Sequence, residues 1–137
     1  MMITRGDKMV KHTFINRTTE DVFKARQFFT HIGFEINEQF SDESGICVVV
    51  NETTFLMVMN KEKFKGFTHA DLPNSFKETQ MILTFQLESM NEVDDFILKV
   101  LEVHGTEFGE AHDDDFMYYR SFKDLDGHHF EVFYFKQ

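Results

Sequence analysis

The most constraining feature of this sequence is a succession of elements that occurs twice, roughly 70 residues apart. Each copy has the pattern of a strand, a helix that begins at a polar cap, a glycine that ends the helix, and three more strands. Gly33 follows the first predicted helix and Gly105 follows the second. One copy is too small to bury its sheet alone, so the two are expected to pack together. The repeat therefore predicts an α+β fold, in which two βαβββ modules form a curved mixed sheet around a cup.

The first module is predicted over residues 9–60. Asp21 or Thr18 caps its helix, and the apolar side chains of that helix recur at helical spacing. The segments around it alternate as strands do and are separated by polar turns. In chain order, the predicted elements are a strand at 11–16, a helix from 19 or 21 to 32, and strands at 34–40, 45–51 and 54–60.

Residues 61–79 break the pattern and are predicted to be a connector. They are polar, contain the only proline and show no sustained period, apart from one helical turn expected near 61–64. The second module is predicted over 80–136, and Ser89 and Glu92 form a capping box at the start of its helix. Its other predicted elements are a strand at 80–88, a strand from 106, an acidic loop at 110–115 and a terminal hairpin.

The terminal hairpin contains the most unusual polar residue of the sequence, Glu131. Asp126 and Gly127 form the Asp-Gly pair that most strongly signals a hairpin turn. Alternation along the returning strand places Glu131 on the same face as His129 and Phe133. Apolar residues surround this carboxylate on both sides. A buried carboxylate must be paired, protonated or bound to a metal, so Glu131 is a candidate functional residue.

Composition limits the classes of function. The 137 residues fit one domain, 1–137, and the 18 phenylalanines predict an interior packed with rings or a cavity lined by them. A formal charge of −10 argues against nucleic acid and anionic membrane partners. The single Cys47 excludes an intrachain disulfide and fits a reducing compartment. Residues 1–8 are polar and patternless, no apolar run has membrane-spanning length, and we expect a cytoplasmic protein.

The closing segment resembles a motif of the vicinal oxygen chelate superfamily, which includes glyoxalase I, bleomycin-resistance proteins and extradiol dioxygenases. Asp124-Leu125-Asp126-Gly127, followed by Glu131 and Val132, is similar to the family's Asp-Pro-Asp-Gly…Glu signature, with leucine in place of the usual proline. The aromatic helix end and glycine at 28–34 also look like the family's pattern. The resemblance covers nearly the whole chain from Met9 and implies a small-molecule ligand and a homodimer.

The resemblance further implies four metal-ligand positions, of which Glu131 is the last. Counted from the helix caps, two other positions fall on Phe14 and Ile82, and the fourth falls on Leu56 or Met57. Phenylalanine, isoleucine and leucine offer no ligand atom, and a thioether is a soft and weak ligand. We therefore expect no cofactor, while a divalent metal held by other, recruited residues remains an alternative.

Glu131 has two interpretations. In the functional one, Glu131 and His129 act as a general acid and base, or they bind a metal together with His12, which alternation places on the same side as Phe14. In the other, Glu131 is an inherited carboxylate satisfied by Arg120, Tyr119 or water.

Two hypotheses for the function follow. The first is a binding protein that holds a small amphipathic molecule in an aromatic-lined cup without the family's full metal site. The second is a metal-dependent lyase or dioxygenase that uses Glu131 with recruited histidines. The residues predicted to line the cup are Phe14, Met57, Ile82, Tyr119 and Phe133.

Overall fold

A computed structural model describes residues 9–136, so the patternless segment 1–8 lies outside the described residues. Within 9–136 the chain forms nine strands and three α-helices. In chain order they are β1 Thr13–Thr19, α1 Val22–His31, β2 Glu35–Ile36, β3 Gly45–Val49, β4 Thr54–Asn60, α2 Lys61–Thr68, β5 Ile82–Gln86, α3 Met90–Glu102, β6 Thr106–Glu107, β7 His112–Asp113, β8 Met117–Lys123 and β9 His129–Phe135.

The strands form two sheets with the same plan. Sheet A has the order β1-β4-β3-β2, and sheet B has the order β5-β9-β8-β6, with β7 added to β8. In each sheet the first strand pairs in parallel with the last long strand, and the other pairs are antiparallel. Parallel strands need a crossover, which α1 and α3 provide. The α+β fold and the repeated plan expected from the sequence are confirmed.

The two crossover helices begin at the side chains that the sequence indicated. The Asp21 carboxylate accepts a hydrogen bond from the Lys24 amide at 3.0 Å, and the Ser89 hydroxyl accepts one from the Glu92 amide at 3.1 Å. Each bond satisfies a backbone donor that the first turn of a helix leaves free. After α1, Gly33 takes a positive φ of 114° and ends the helix.

One hydrophobic core joins both sheets to α1 and α3. Phenylalanine rings from the two halves of the chain contact one another there, with centroids 6.1 Å apart for Phe29 and Phe130 and 5.4 Å apart for Phe34 and Phe85. Phe29 is 2% exposed and Phe130 is fully buried. Each sheet therefore turns one face toward this shared core and leaves its other face available for a site.

Several element boundaries differ from the predictions. The strand expected at 34–40 is only β2, because the Asn37 side chain accepts a hydrogen bond from the Gln39 amide and starts a 3-10 turn at Glu38–Phe40. The strands expected at 11–16 and 80–88 are instead β1 and β5. The single turn expected near 61–64 is the longer helix α2, capped by Asn60. No helix within 9–136 is long and apolar enough to cross a membrane.

Candidate functional site

The face of each sheet that points away from the core is called the open face here. On β9, Phe130 and Val132 are fully buried in the core, so His129, Glu131 and Phe133 lie on the open face of sheet B. Ile82 of β5 pairs with His129 and belongs to the same face. The predicted alternation along β9 agrees with this arrangement.

Strand register decides which residue of β4 corresponds to Glu131. Asn16 of β1 and Thr84 of β5 hold equivalent positions in the two sheets. Asn16 pairs with Met57 and Thr84 pairs with Glu131, so Met57 is the counterpart of Glu131 in sheet A. Leu56 is 1% exposed and belongs to the core. Of the two residues that the sequence left open for this position, Met57 therefore remains. By the same register, Phe14 is the counterpart of Ile82.

Aromatic side chains cover much of both open faces. The rings of Phe14 and Phe55 stack at 5.2 Å between centroids, and the rings of Phe133 and Phe135 meet edge to face at 4.8 Å. Tyr119 of β8 pairs with Phe133, and its ring is stacked by His112 of β7 at 4.7 Å. Phe14 is 53% exposed and Ile82 is 48% exposed. Large apolar side chains are thus accessible on an otherwise well-packed domain.

Glu131 is half-buried and accepts a hydrogen bond from the Ser121 hydroxyl at 3.3 Å. Arg120, one of the partners considered for it, lies on the other face of β8 and holds Glu107 and Asp94 at 2.8–2.9 Å. Ser121 pairs with Glu131 across the hairpin, which explains why it is the neighbour that reaches the carboxylate. The sequence analysis had not considered Ser121.

His12 does not join Glu131 and His129 in a metal-binding cluster. Its ring lies edge-on to Phe55 at 5.5 Å and to Phe14 at 6.3 Å, just before β1 begins. Among residues 9–136, no three His, Cys, Asp or Glu side chains are placed to hold one ion. With Phe14, Met57 and Ile82 at the positions that the resemblance assigns to ligands, the residues present do not fit a divalent metal.

A cavity of about 220 Å³ lies at the junction of the two sheets and the connector, and is called the junction cavity here. Asn16 and Thr18 of the sheet A open face and His129 of the sheet B open face line it, so both open faces reach it. Arg17, Gly127 and His128 also line it, together with Phe64 of α2 and residues between 72 and 81. Of the predicted site residues, His129 alone lines this cavity.

Buried charges surround the junction cavity. Arg17 is 8% exposed, and its guanidinium lies 5.6 Å from the centroid of the Phe130 ring. Burial lowers the pKa of Arg17, and the nearby charge of Asp124 opposes this. Burial raises the pKa of Asp124 to about 7, and the charge of Asp126 adds to the rise. Neither Arg17 nor Asp124 was predicted as a site residue from the sequence. For Arg17, the available signal was its alternation with Ile15 and Thr19 on one face of β1.

His128, just before β9, and His129, its first residue, also have shifted pKa values. Burial lowers the pKa of His128, whose Nε2 lies 2.8 Å from the Thr18 carbonyl oxygen. Burial lowers the pKa of His129 as well, although the charge of Glu131 opposes it. Both rings are therefore neutral at neutral pH, and each presents one donor and one acceptor nitrogen.

A second groove, of about 860 Å³, lies on the helix side between α1 and the end of α3. Its main polar pair, His31 and Glu102, is already joined at 2.9 Å and is about half exposed. The open faces do not reach this groove. The junction cavity is the stronger candidate because its polar groups are buried.

Solved structures with the same arrangement of strands and helices are numerous. A hypothetical protein from S. aureus is 24% identical, with a TM-score of 0.79 over 93% of this chain and 95% of that one. A glyoxalase/bleomycin resistance protein/dioxygenase family enzyme from Burkholderia phytofirmans is 13% identical, with a TM-score of 0.75 over 88% and 95% of the two chains. A variant of the fosfomycin resistance protein FosX from Listeria monocytogenes, in complex with Mn(II) and a dihydroxypropylphosphonic acid, is 17% identical, with a TM-score of 0.62 over 89% and 86%.

The chain has the vicinal oxygen chelate fold. No family model matches the sequence, and no curated protein matches it either. The solved structures named above are 13–24% identical to this chain, and their likeness shows the fold. Glu131 lies at one of the four positions that the resemblance assigns to metal ligands, and apolar residues lie at the other three.

Proposed function

We propose that this protein binds a small amphipathic molecule on its aromatic open faces, without the full metal site of its superfamily. The observation that carries the proposal is the set of residues at the four corresponding positions: Phe14, Met57, Ile82 and Glu131. Three apolar side chains and one carboxylate favour a ligand with an apolar body and a polar end. Accessible aromatic rings supply large contact area to such a ligand.

The proposal is tested with a neutral hydrophobic fluorophore, N-phenyl-1-naphthylamine, as the probe. Phe14→Ala removes one ring of the Phe14–Phe55 stack and is expected to weaken probe binding roughly tenfold, because burial of a phenylalanine contributes about 1.5–3 kcal/mol. Phe23→Ala is the matched control, because Phe23 is also exposed, at 67%, but lies on α1 and not on an open face. Failure of the natural sequence to bind the probe, or equal weakening by both variants, contradicts the proposal.

The alternative function is a metal-dependent lyase or dioxygenase that uses Glu131 with recruited histidines. The position of His129 beside Glu131 on β9, with its Nε2 unpartnered among the described residues, is the observation that favours it. Such an enzyme would need further ligands from outside the four positions. We place binding first for that reason.

We also propose a cytoplasmic homodimer. A single Cys47, free and buried, fits a reducing compartment. The outer strands β1 and β2 of sheet A and β5 of sheet B have one side without a strand partner among the described residues, and natural proteins usually cover such edges.

A further inference from the structure

We propose that the junction cavity binds the anionic group of the ligand, a carboxylate or a phosphate, through Arg17 and His129. This inference rests on the proposed function for the apolar body of the ligand, and adds an anionic group held in the junction cavity, whose lining does not include Glu131. Neither residue belongs to the four positions at which the superfamily resemblance places its ligands.

Arg17 supplies the positive charge. Its side chain enters the junction from the core-facing side of β1, and 92% of its surface is removed from solvent. Its Nη1 has no hydrogen-bond partner among the described residues, and no carboxylate of residues 9–136 forms an ion pair with it. A buried guanidinium nitrogen without a hydrogen-bond acceptor is costly, because it loses its hydration, and the Phe130 ring and the charge of Asp124 replace only part of that loss. An oxyanion in the cavity would provide both the charge and the acceptor oxygens that are missing.

His129 supplies a second unpartnered group on the wall of the same cavity. It is 9% exposed, and its Nε2 also lacks a partner among the described residues. The Phe108 ring fixes its orientation by an edge contact at 5.0 Å between centroids. In the tautomer protonated at Nε2, the neutral imidazole can donate a hydrogen bond to an anion. Two buried residues, each with an unpartnered nitrogen among the described residues, thus line one cavity.

The charge of Asp124 partly offsets that of Arg17, but neither Asp124 nor Asp126 forms an ion pair with the guanidinium. The Asp124 carboxylate accepts hydrogen bonds from the amides of Asp126 and His128 at 2.9 and 3.0 Å, and Asp126 accepts one from the Glu20 amide at 2.8 Å. Lys123 adds positive charge near His129, where its Nζ lies 4.2 Å from the centroid of the Phe108 ring.

The opposing charge on the wall is Glu78, an exposed connector residue. Because it is hydrated, its effect on a buried anion is strongly screened. The cavity volume of about 220 Å³ leaves space for an oxyanion and the first atoms of an attached group. The junction cavity is therefore a partly open site with one buried cation in its wall, in a chain whose formal charge is −10.

The experiment measures binding of inorganic phosphate and of acetate by calorimetry and by thermal melts, with chloride balancing the ionic strength. We expect at least one of the two anions to bind with a Kd on the order of 1 mM or tighter and to raise the melting temperature. Acetate alone would indicate a carboxylate ligand, and phosphate alone a phosphorylated one. Arg17→Met is expected to weaken binding at least tenfold, and Arg17→Lys to retain part of it. Arg26→Met is the control, because Arg26 is ion-paired with Glu38 at 2.6 Å on the surface of α1.

His129→Phe tests the second contact in a background that keeps Arg17, and it should weaken anion binding severalfold. If Arg17→Met does not melt cooperatively, Arg17→Lys and His129→Phe decide the question by the same titrations. The inference is overturned if neither anion binds the natural sequence, or if the variants of Arg17 and His129 bind as well as Arg26→Met does. The two anions have no apolar body, so they test the anion site alone. If neither anion binds but N-phenyl-1-naphthylamine still does, the anion site is excluded and the proposed function is retained.

Discussion

Ser75 of the connector rests directly on Gly127 of the terminal hairpin. The Ser75 hydroxyl donates a hydrogen bond to the Asp126 carbonyl oxygen at 2.6 Å, and a Cβ atom on Gly127 would stand 2.6 Å from the Ser75 carbonyl oxygen. Gly127 also has a positive φ of 80°. Because Gly127 has no side chain, the connector can pack against the turn and form one wall of the junction cavity.

Gly127→Ala should therefore destabilise the protein more than a positive φ alone would. The left-handed conformation costs a residue with a Cβ about 1–2 kcal/mol, and displacing the Ser75 backbone adds about 1–3 kcal/mol. Gly109→Ala is the matched control, because Gly109 has a φ of 82° and open space where its Cβ would lie. Urea unfolding of the two variants measures the difference. Equal losses of unfolding free energy would mean that the connector does not hold the turn.

Asp124→Asn should remove a pH dependence of stability. The pKa of Asp124 is raised to about 7 by burial, so between about pH 4 and 7 the folded state keeps a proton that the unfolded state has lost. Stability then falls as pH rises through this window and is constant above it. The variant should lack that decline and be more stable than the natural sequence at pH 8, by an amount on the order of a few kcal/mol.

The quantity to follow is the difference in unfolding free energy between Asp124→Asn and the natural sequence, measured by chemical unfolding from pH 4 to 8. The buried His128 and His129, with lowered pKa values, contribute a slope of the opposite sign up to their ordinary pKa, and the difference cancels most of it. Asp94→Asn is the control. The Tyr118 hydroxyl and then Arg120 lower the pKa of Asp94, so its contribution is lost only as pH falls below about 4. If the difference in unfolding free energy between Asp124→Asn and the natural sequence does not change between pH 4 and 7, Asp124 is ionised throughout that range.

The purified protein should contain no stoichiometric transition metal. Phe14, Met57 and Ile82 offer no strong ligand, and Glu131 alone cannot hold a divalent ion tightly. Elemental analysis after purification without chelator checks this. About one equivalent of nickel, zinc or iron, lost in Glu131→Ala and kept in Glu107→Ala, would support the lyase or dioxygenase alternative instead.

In solution the chain should have twice its own mass of 16.3 kDa. Strand edges and apolar side chains that one chain leaves exposed are commonly covered by a second copy. Light scattering coupled to size-exclusion chromatography gives the mass directly. A single-chain mass at working concentrations would rule out the homodimer.

The sequence predicted the parts of the fold that depend on local chemistry. Asp21, one of the two caps predicted for the first helix, the cap at Ser89 and the turn at Gly127 are found in the structure, because each relies on neighbours within a few residues. The predicted strand at 34–40 failed because the Asn37 side chain competes for a backbone amide and breaks the extended run. No period in the sequence reveals such a competition.

The junction cavity was out of reach for a different reason. The predicted first strand ended before Arg17, and arginine is seldom buried, so the alternation of Ile15 and Arg17 was not used. Phe130, whose ring lies beside the buried guanidinium, comes more than 100 residues later in the chain. Likewise, spacing left Leu56 and Met57 equivalent, and strand pairing together with burial separated them. Predicting such contacts requires the register between strands.

The pairing of β5 with β9 has a consequence for the order in which the protein can fold during synthesis. The strand that joins β5 to the rest of sheet B is β9, which is translated after the other strands of that sheet. Ile82–Gln86 therefore has no strand partner until about 45 further residues have been made. Sheet A meets the same condition earlier, when β4 emerges to join β1. The first half can thus close while the second half is still being made. Sheet B, and with it the wall that carries His129, forms only once His129–Phe135 has left the ribosome.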